Sequence, residues 1–336
     1  MATPHPTEIL PTHTQALFDA AVRRAVELLR AGEVVALPTE TVYGLAANAL
    51  DPGAVAKIYA VKGRPAHNPV ICHVASRNLA GRCVADWSAL AENLARAFWP
   101  GPLTLVLKRS AAIPDIVTAG GTTVGIRWPS HPFMQAVIVA CDFPLAAPSA
   151  NLSNQLSPTN AGHVLQQLGG RIRLIADGGQ SQVGIESTVV DVSAAPPRLL
   201  RPGMIHEETL LAVTGELATD ATAGILRSPG LLRKHYSPRA KLTMLRWRDE
   251  ADLRSQLAAL PVAPEDCCVI AHTVLPGGAG FRRVSVVPHD AEAFARALYA
   301  ELHHCDELGA RQIIVETLPD APEWRAIEDR LTRAAA

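Results

Sequence analysis

Four segments of this chain carry side chains spaced for chemistry. In Lys62-Gly63-Arg64-Pro65-Ala66-His67-Asn68-Pro69 two cations stand two residues apart, and Arg64 and Asn68 each precede a proline. A residue before proline favours extended backbone, and extended i and i+2 side chains project to one side, so Lys62 and Arg64 are expected to point together. Adjacent cations are costly unless an anion lies between them, and a polyphosphate meets that need. A solvated basic loop is the plain alternative. Ser149 and Asn151, in Pro148-Ser149-Ala150-Asn151, repeat the spacing with neutral donors. Ser157 and Pro158 suit an N-cap and a first helical residue, so a helix is expected from there to Gln167 or Leu168, its N–H groups free for a phosphate. Arg127 closes the apolar run Val124-Gly125-Ile126. A guanidinium leaving a core strand needs a carboxylate, which Glu40, Glu186 or a substrate could supply.

The common nucleotide and hydrolase signatures are absent: no G-x-x-x-x-G-K-[ST], G-x-G-x-x-G, G-x-S-x-G or H-E-x-x-H occurs. A nucleotide would have to be held by a less common device. His303-His304-Cys305 lies on an expected amphipathic helix and has no second ligand pair at zinc spacing.

The elements that position these residues alternate. A helix over Leu17–Leu29 ends at Gly32, and strand-like runs follow at 34–37, 70–74, 103–107, 124–127, 145–147, 172–176, 188–192 and 198–200. Helices are expected near 52–61, 87–99, 131–141 and 158–168. This pattern predicts an α/β domain on one twisted sheet, and ligands of open α/β sheets bind at the carboxyl ends of strands. Residues 214–239 lose periodicity and read as a linker. Strand runs at 242–246, 268–271, 284–287 and 312–316 then interleave with helices near 250–259, 291–304 and 322–334, giving a small second α/β domain over 240–336.

The 336 residues are about twice the ~150-residue domain prior, in keeping with two domains. The longest apolar run, Ala136 to Cys141, is far short of the roughly 18 residues of a membrane span. The first eleven residues lack a signal-peptide pattern, so a soluble, cytoplasmic protein is expected. Six irregularly spaced cysteines without C-x-x-C suit buried thiols. A net charge of −1 argues against strong non-specific nucleic-acid binding. Acid-free basic stretches do occur between Asp51 and Asp86 and between Asp220 and Asp249.

Taken in order, Pro38-Thr39-Glu40-Thr41-Val42-Tyr43-Gly44-Leu45, Lys62-Gly63-Arg64-Pro65, Phe98-Trp99-Pro100-Gly101-Pro102-Leu103-Thr104, Gly125-Ile126-Arg127, Pro148-Ser149-Ala150-Asn151, Gly184-Ile185-Glu186-Ser187-Thr188 and Leu200-Arg201-Pro202-Gly203 closely resemble the YrdC-like family, the threonylcarbamoyl-AMP synthases. Length and His235-Tyr236-Ser237-Pro238 resemble its two-domain long form. Ala46 departs from the glycine common there. The resemblance implies a YrdC-like open mixed sheet with flanking helices over 1–213, a linker acting as active-site lid over 214–239, and a Rossmann-like C-terminal domain. It implies that L-threonine, bicarbonate and ATP, with Mg²⁺, give L-threonylcarbamoyl-AMP and pyrophosphate. A downstream tRNA threonylcarbamoyl transferase would use the product, with weak or no direct tRNA binding and no membrane. Thr41, His73, Arg127, Ala147 and Ser187 would hold threonine. Lys62, Arg64, Asn68, Thr123, Ser149, Asn151, Ser157, Arg201 and Tyr236 would hold ATP, with Lys62, Arg64, Ser149 and Asn151 carrying the catalysis. A carbamate is already anionic, so positioning and charge neutralisation replace a strong base. A non-catalytic RNA-binding module on the same fold is the alternative.

Overall fold

The computed structural model describes residues 6–218, 236–277 and 279–336. Two compact units form, one from residues 6–153 and 157–218, the other from residues 154–156 and 236–336. The expected lid falls largely outside the described residues, since 219–235, including His235, are not among them.

The first unit is built on β1 (Glu8–Pro11), β2 (Val35–Leu37), β3 (Gly44–Asn48), β4 (Cys72–His73), β5 (Leu103–Lys108), β6 (Thr123–Arg127), β7 (Leu145–Ala146), β8 (Leu174–Asp177), β9 (Thr188–Asp191) and β10 (Arg198–Arg201). They form one mixed sheet in the order β1-β8-β2-β3-β7-β4-β6-β5-β9-β10. Helices cover it because their apolar residues recur at helical spacing. Gln15–Arg30, capped by Thr14, buries Ala21, Ala25, Val26, Leu28 and Leu29, and Phe18 meets Phe133 of helix Pro132–Cys141 edge-on at 5.2 Å. The expected strands and helices appear within a few residues of their places. β1, β3 and the helices Arg77–Cys83, Asp115–Thr118 and Glu207–Thr214 were not legible in the pattern.

Two local expectations fail. Lys62 is not in extended backbone: it ends helix Pro52–Lys62, which Gly63 stops in the left-handed region at φ 62°. A helix capped by Asp51 with Pro52 in its first turn outweighs the preference of pre-proline Arg64. Ser157 is not an N-cap either. The helix there is Ala161–Leu168, capped by Asn160, whose side chain accepts from the His163 N–H.

In the second unit, β11 (Lys241–Leu245), β12 (Cys267–Ala271), β13 (Arg283–Val286) and β14 (Gln312–Glu316) form a wholly parallel sheet, order β11-β14-β12-β13. Helices Glu250–Leu257, Ala291–Glu307 and Arg325–Ala335 accompany it. All six cysteines are buried and unpaired. Among the described residues no three His, Cys, Asp or Glu side chains stand together as a metal site, and no helix is long and apolar enough to cross a membrane.

Candidate active site

The sheet register corrects the expectation of a crevice at the carboxyl strand ends. β4 is parallel to β6 but antiparallel to β7, with His73 opposite both Arg127 and Leu145. The carboxyl ends of β6 and β7 therefore lie at opposite ends of the ladder. What gathers the residues is a sheet face. Strand side chains alternate, so Thr123, Gly125 and Arg127 share one face of β6. A Cβ on Gly125 would lie 3.2 Å from the Thr104 side chain and 3.3 Å from that of Ile71. A depression beside it is lined by Gly125, Ile71, Thr104, Val106, Thr123 and Val189 among others.

Arg127 lies at one end of this floor. It is buried, and its Nη1 donates to Thr41 Oγ1 at 2.9 Å while its Nε reaches the Gly101 carbonyl at 3.4 Å. Its Nη2 forms an ion pair with Glu40 Oε1 at 2.8 Å, which selects Glu40 over Glu186 as the structural partner. Thr104, opposite Arg127 in the ladder, shares a 2.8 Å hydrogen bond with Ser187 Oγ. Ser187 in turn receives Arg201, through Nη2 to its Oγ and Nε to its carbonyl, each at 3.0 Å. His73 is fully enclosed beside Arg127, and desolvation, then the guanidinium charge, push its pKa down to about 3. It is neutral, and its buried Nδ1 has no hydrogen-bond partner. Ala147, just past β7, donates its N–H to the Ile71 carbonyl. Thr41, His73, Arg127, Ala147 and Ser187 are thus brought together.

The loops crossing this floor are pinned by backbone bonds. Tyr43 N–H donates to the Pro158 carbonyl, Ala150 N–H to the Tyr43 carbonyl and Leu45 N–H to the Pro148 carbonyl, zipping segment 38–45 to 148–151. Val183 N–H and Gly184 N–H donate to the carbonyls of Glu40 and Thr41. The Lys62 ammonium is enclosed against the second of these loops, donating to the carbonyls of Ser149 and Asn151 at 2.5 Å each and to Asn151 Oδ1 at 3.3 Å. Burial first, and the Arg64 charge second, hold its pKa well below the ordinary ammonium range. Arg64 bonds to the carbonyls of Asn68 and Pro69 and to Asn68 Oδ1 at 2.7 Å. The two cations are held by separate sets of oxygens, yet close enough to repel. Asn68 Nδ2 is buried without a hydrogen bond. Ser157 Oγ donates to Glu186 Oε1 at 2.5 Å.

Thr123, at the amino end of β6, lies at the same end of the ladder as the exit from β7 toward Ser149, because β6 and β7 run oppositely. Tyr236 belongs to the second unit, where its ring lies 6.0 Å from that of Tyr299 and 5.6 Å from the Arg330 guanidinium. Thr104 and Gly125 were not singled out from sequence as site residues. Alternation along Thr123, Gly125 and Arg127 was the signal available for Gly125, and a threonine inside the apolar run 103–107 for Thr104.

Comparison with known proteins agrees with this architecture. Residues 27–203 match the family model Sua5–YciO–YrdC, described as "Telomere recombination", and residues 205–336 match "Threonylcarbamoyl-AMP synthase, C-terminal domain". The chain is 38% identical to the threonylcarbamoyl-AMP synthase of Pyrococcus abyssi, over 94% of each chain. It is 39% identical to that of Bacillus subtilis, over 94% of this chain and 93% of the other. The crystal structure of Pyrococcus abyssi Sua5 complexed with L-threonine superposes with a TM-score of 0.88 at 35% identity, covering 98% of both chains. The chain therefore belongs to the Sua5–YciO–YrdC family, with the two-domain organisation of its threonylcarbamoyl-AMP synthases.

Proposed function

We propose that the chain is an L-threonylcarbamoyladenylate synthase, joining L-threonine, bicarbonate and ATP into L-threonylcarbamoyl-AMP with release of pyrophosphate. The observation that carries this reading is a single sheet face with a guanidinium and hydroxyls at one end and a cation-bearing loop pair beside it. Arg127 would take the threonine carboxylate, with Thr41, His73, Ser187 and the backbone at Ala147 around the rest. Hydroxyl partners there penalise analogues without the threonine hydroxyl. Lys62, Arg64, Asn68, Thr123, Ser149, Asn151, Ser157 and Arg201 would surround ATP, and Tyr236 would join them from the linker. The buried Asn68 Nδ2 and His73 Nδ1, both lacking a hydrogen bond, support a polar ligand on this face.

The chemistry asked of these groups is proximity and charge. Lys62 and Arg64, repelling each other across a short distance, gain most when phosphate oxygens arrive, and that gain grows as charge develops in transfer at the α-phosphorus. Ser149 and Asn151, fixed through their carbonyls by Lys62, hold the loop against which the nucleotide would rest. The carboxylates at hand, Glu40 and Glu186, face Arg127 and Ser157, and among the described residues no cluster of carboxylates offers a cage for Mg²⁺. The ion would ride on phosphate oxygens and water. The linker over 214–239, most of which lies outside the described residues, would act as the active-site lid and keep water from the mixed anhydride. The adenylate would pass to a tRNA threonylcarbamoyl transferase.

Pyrophosphate release tests the reading, with threonine and bicarbonate each omitted in turn. Release that requires both is expected. Release indifferent to either would contradict it, and tight, salt-sensitive tRNA binding without ATP turnover would favour an RNA-binding module instead.

A further inference from the structure

Glu40 stands beside Arg127 at one end of the face just described, and its charge is only half used. Its side chain is 8% exposed, Oε1 lies 2.8 Å from Arg127 Nη2, and neither carboxylate oxygen has a hydrogen bond. The backbone on either side of the carboxylate is held in place. Its carbonyl receives the Val183 N–H at 2.7 Å, and Thr39 and Thr41 on either side share a 3.0 Å hydroxyl contact. An ionised carboxylate has about four acceptor positions, and leaving a buried charged group unmet is costly. A donor carried in by a ligand would meet this unused capacity. Among the site's carboxylates, Glu186 is already bonded to Ser157. Two histidines face the pair: His73 beside Arg127, and His131, whose pKa burial lowers against the opposing pull of the Glu40 charge. Burial lowers the pKa of both, and neither is hydrogen-bonded to the Glu40 carboxylate.

We infer that Glu40 binds the α-ammonium of the amino-acid substrate and accepts a proton from it, so that Arg127 and Glu40 together read a zwitterion, one charge each. The inference rests on the substrate assignment above. R–NH₃⁺ passes one proton to the Glu40 carboxylate, leaving R–NH₂. The nitrogen lone pair then attacks the carbon of bicarbonate, the N–C bond forms, and one C–O bond breaks. The departing hydroxide leaves as water with a second proton from nitrogen. The products are the carbamate R–NH–COO⁻, water and a protonated Glu40 that returns its proton to solvent.

Calorimetric titration with L-threonine and with the 2,3-dihydroxybutanoate of matching configuration, in which a hydroxyl replaces the ammonium, tests the binding half. Wild type is expected to prefer threonine by about 10- to 100-fold, the worth of a hydrogen bond to a charged group. Glu40→Gln should lose that preference while holding the hydroxy acid within about threefold of wild type. Equal affinities in wild type, or a parallel loss of both ligands in the variant, would overturn the assignment. The wild-type comparison decides even if the variant does not fold. Wild type binding neither ligand would fail the substrate reading itself. For the proton, kcat/KM for threonine in Glu40→Gln should climb with pH as more free amino acid loses its ammonium proton, while wild type stays flat over the same range. Parallel profiles would overturn proton acceptance.

Discussion

Arg127 and Glu40 are buried against each other, so removing either leaves its partner uncompensated, and the effects should separate into ligand and stability terms. In Arg127→Ala the amino-acid end of the site loses the guanidinium that donates to Thr41. The threonine requirement should rise by two orders of magnitude or more, with ATP affinity nearly unchanged, as measured by separate KM values. Comparable loss of both would contradict the assigned role. Stability should also fall, by about 3–5 kcal/mol, because a buried carboxylate is left uncompensated. His73 gives a pH prediction with a definite sign. Its folded pKa of about 3 lies below the unfolded value near 6.5, so between these limits the unfolded chain binds a proton that the folded chain does not. Stability is therefore full above about pH 6.5 and drops by roughly 1 kcal/mol per unit on the way down. Urea midpoints at pH 6.5, 5.5 and 4.5 should show this slope, and His73→Asn should flatten it. Arg127 was legible in sequence because charge at an apolar strand end marks it, whereas the i, i+2 argument for Lys62 failed because a helix, not a strand, carries it. Thr104 was hidden, since a lone threonine in a strand run reads as ordinary β-propensity until its hydroxyl partner, Ser187, is known 83 residues away.

At the scale of elements, what matters is how closely loops approach strands. Gly203 follows Arg201 and Pro202 at the exit of β10, and a Cβ there would lie 2.4 Å from the Thr188 backbone nitrogen and 2.6 Å from Thr188 Oγ1. Both are fixed atoms beside Ser187, so Gly203→Ala must shift the strand exit rather than a flexible side chain. The expected result is a loss of activity exceeding tenfold, shared by threonine and ATP terms because Arg201 and Ser187 move together, with a lower Tm. An unchanged KM for threonine would count against Ser187 in the site. β3 escaped sequence reading because Gly44-Leu45-Ala46-Ala47-Asn48 is small-residue chain with little β-propensity. Its strand character comes from antiparallel partners on both sides, β2 and β7, which no local pattern announces. The carboxyl-end rule failed for a related reason: it presumes parallel strands, and β7 runs against β4. The start at Ser157 was misplaced because Ser157 and Asn160 are both good caps, and Glu186 took the serine hydroxyl.

For the whole molecule, the chain crosses between its two units more than once, and this sets where it can be cut. Residues 154–156 belong with the second unit, where Asn154 accepts the Ser237 N–H at 3.0 Å and Gln155 bridges to Ser237. In the chain they sit between Asn151 and Ser157, two residues of the proposed nucleotide set. A cut after Ile205 would remove helix Glu207–Thr214, whose Leu210 is buried in the first unit's core, and residue Ala218, which is bonded to the segment carrying β10. The informative truncation therefore ends at Ala218. This form keeps every strand of the large sheet and should unfold in one cooperative urea transition. It also loses segment 219–235, Tyr236 and the partner of 154–156. Pyrophosphate release should then fall at least a hundredfold while calorimetry still detects threonine, because the amino-acid end is built wholly from the retained residues. Full turnover in the truncated form would refute the lid. Loss of threonine binding with folding intact would mean that the amino-acid end depends on more of the chain than Thr41, His73, Arg127 and Ser187 supply.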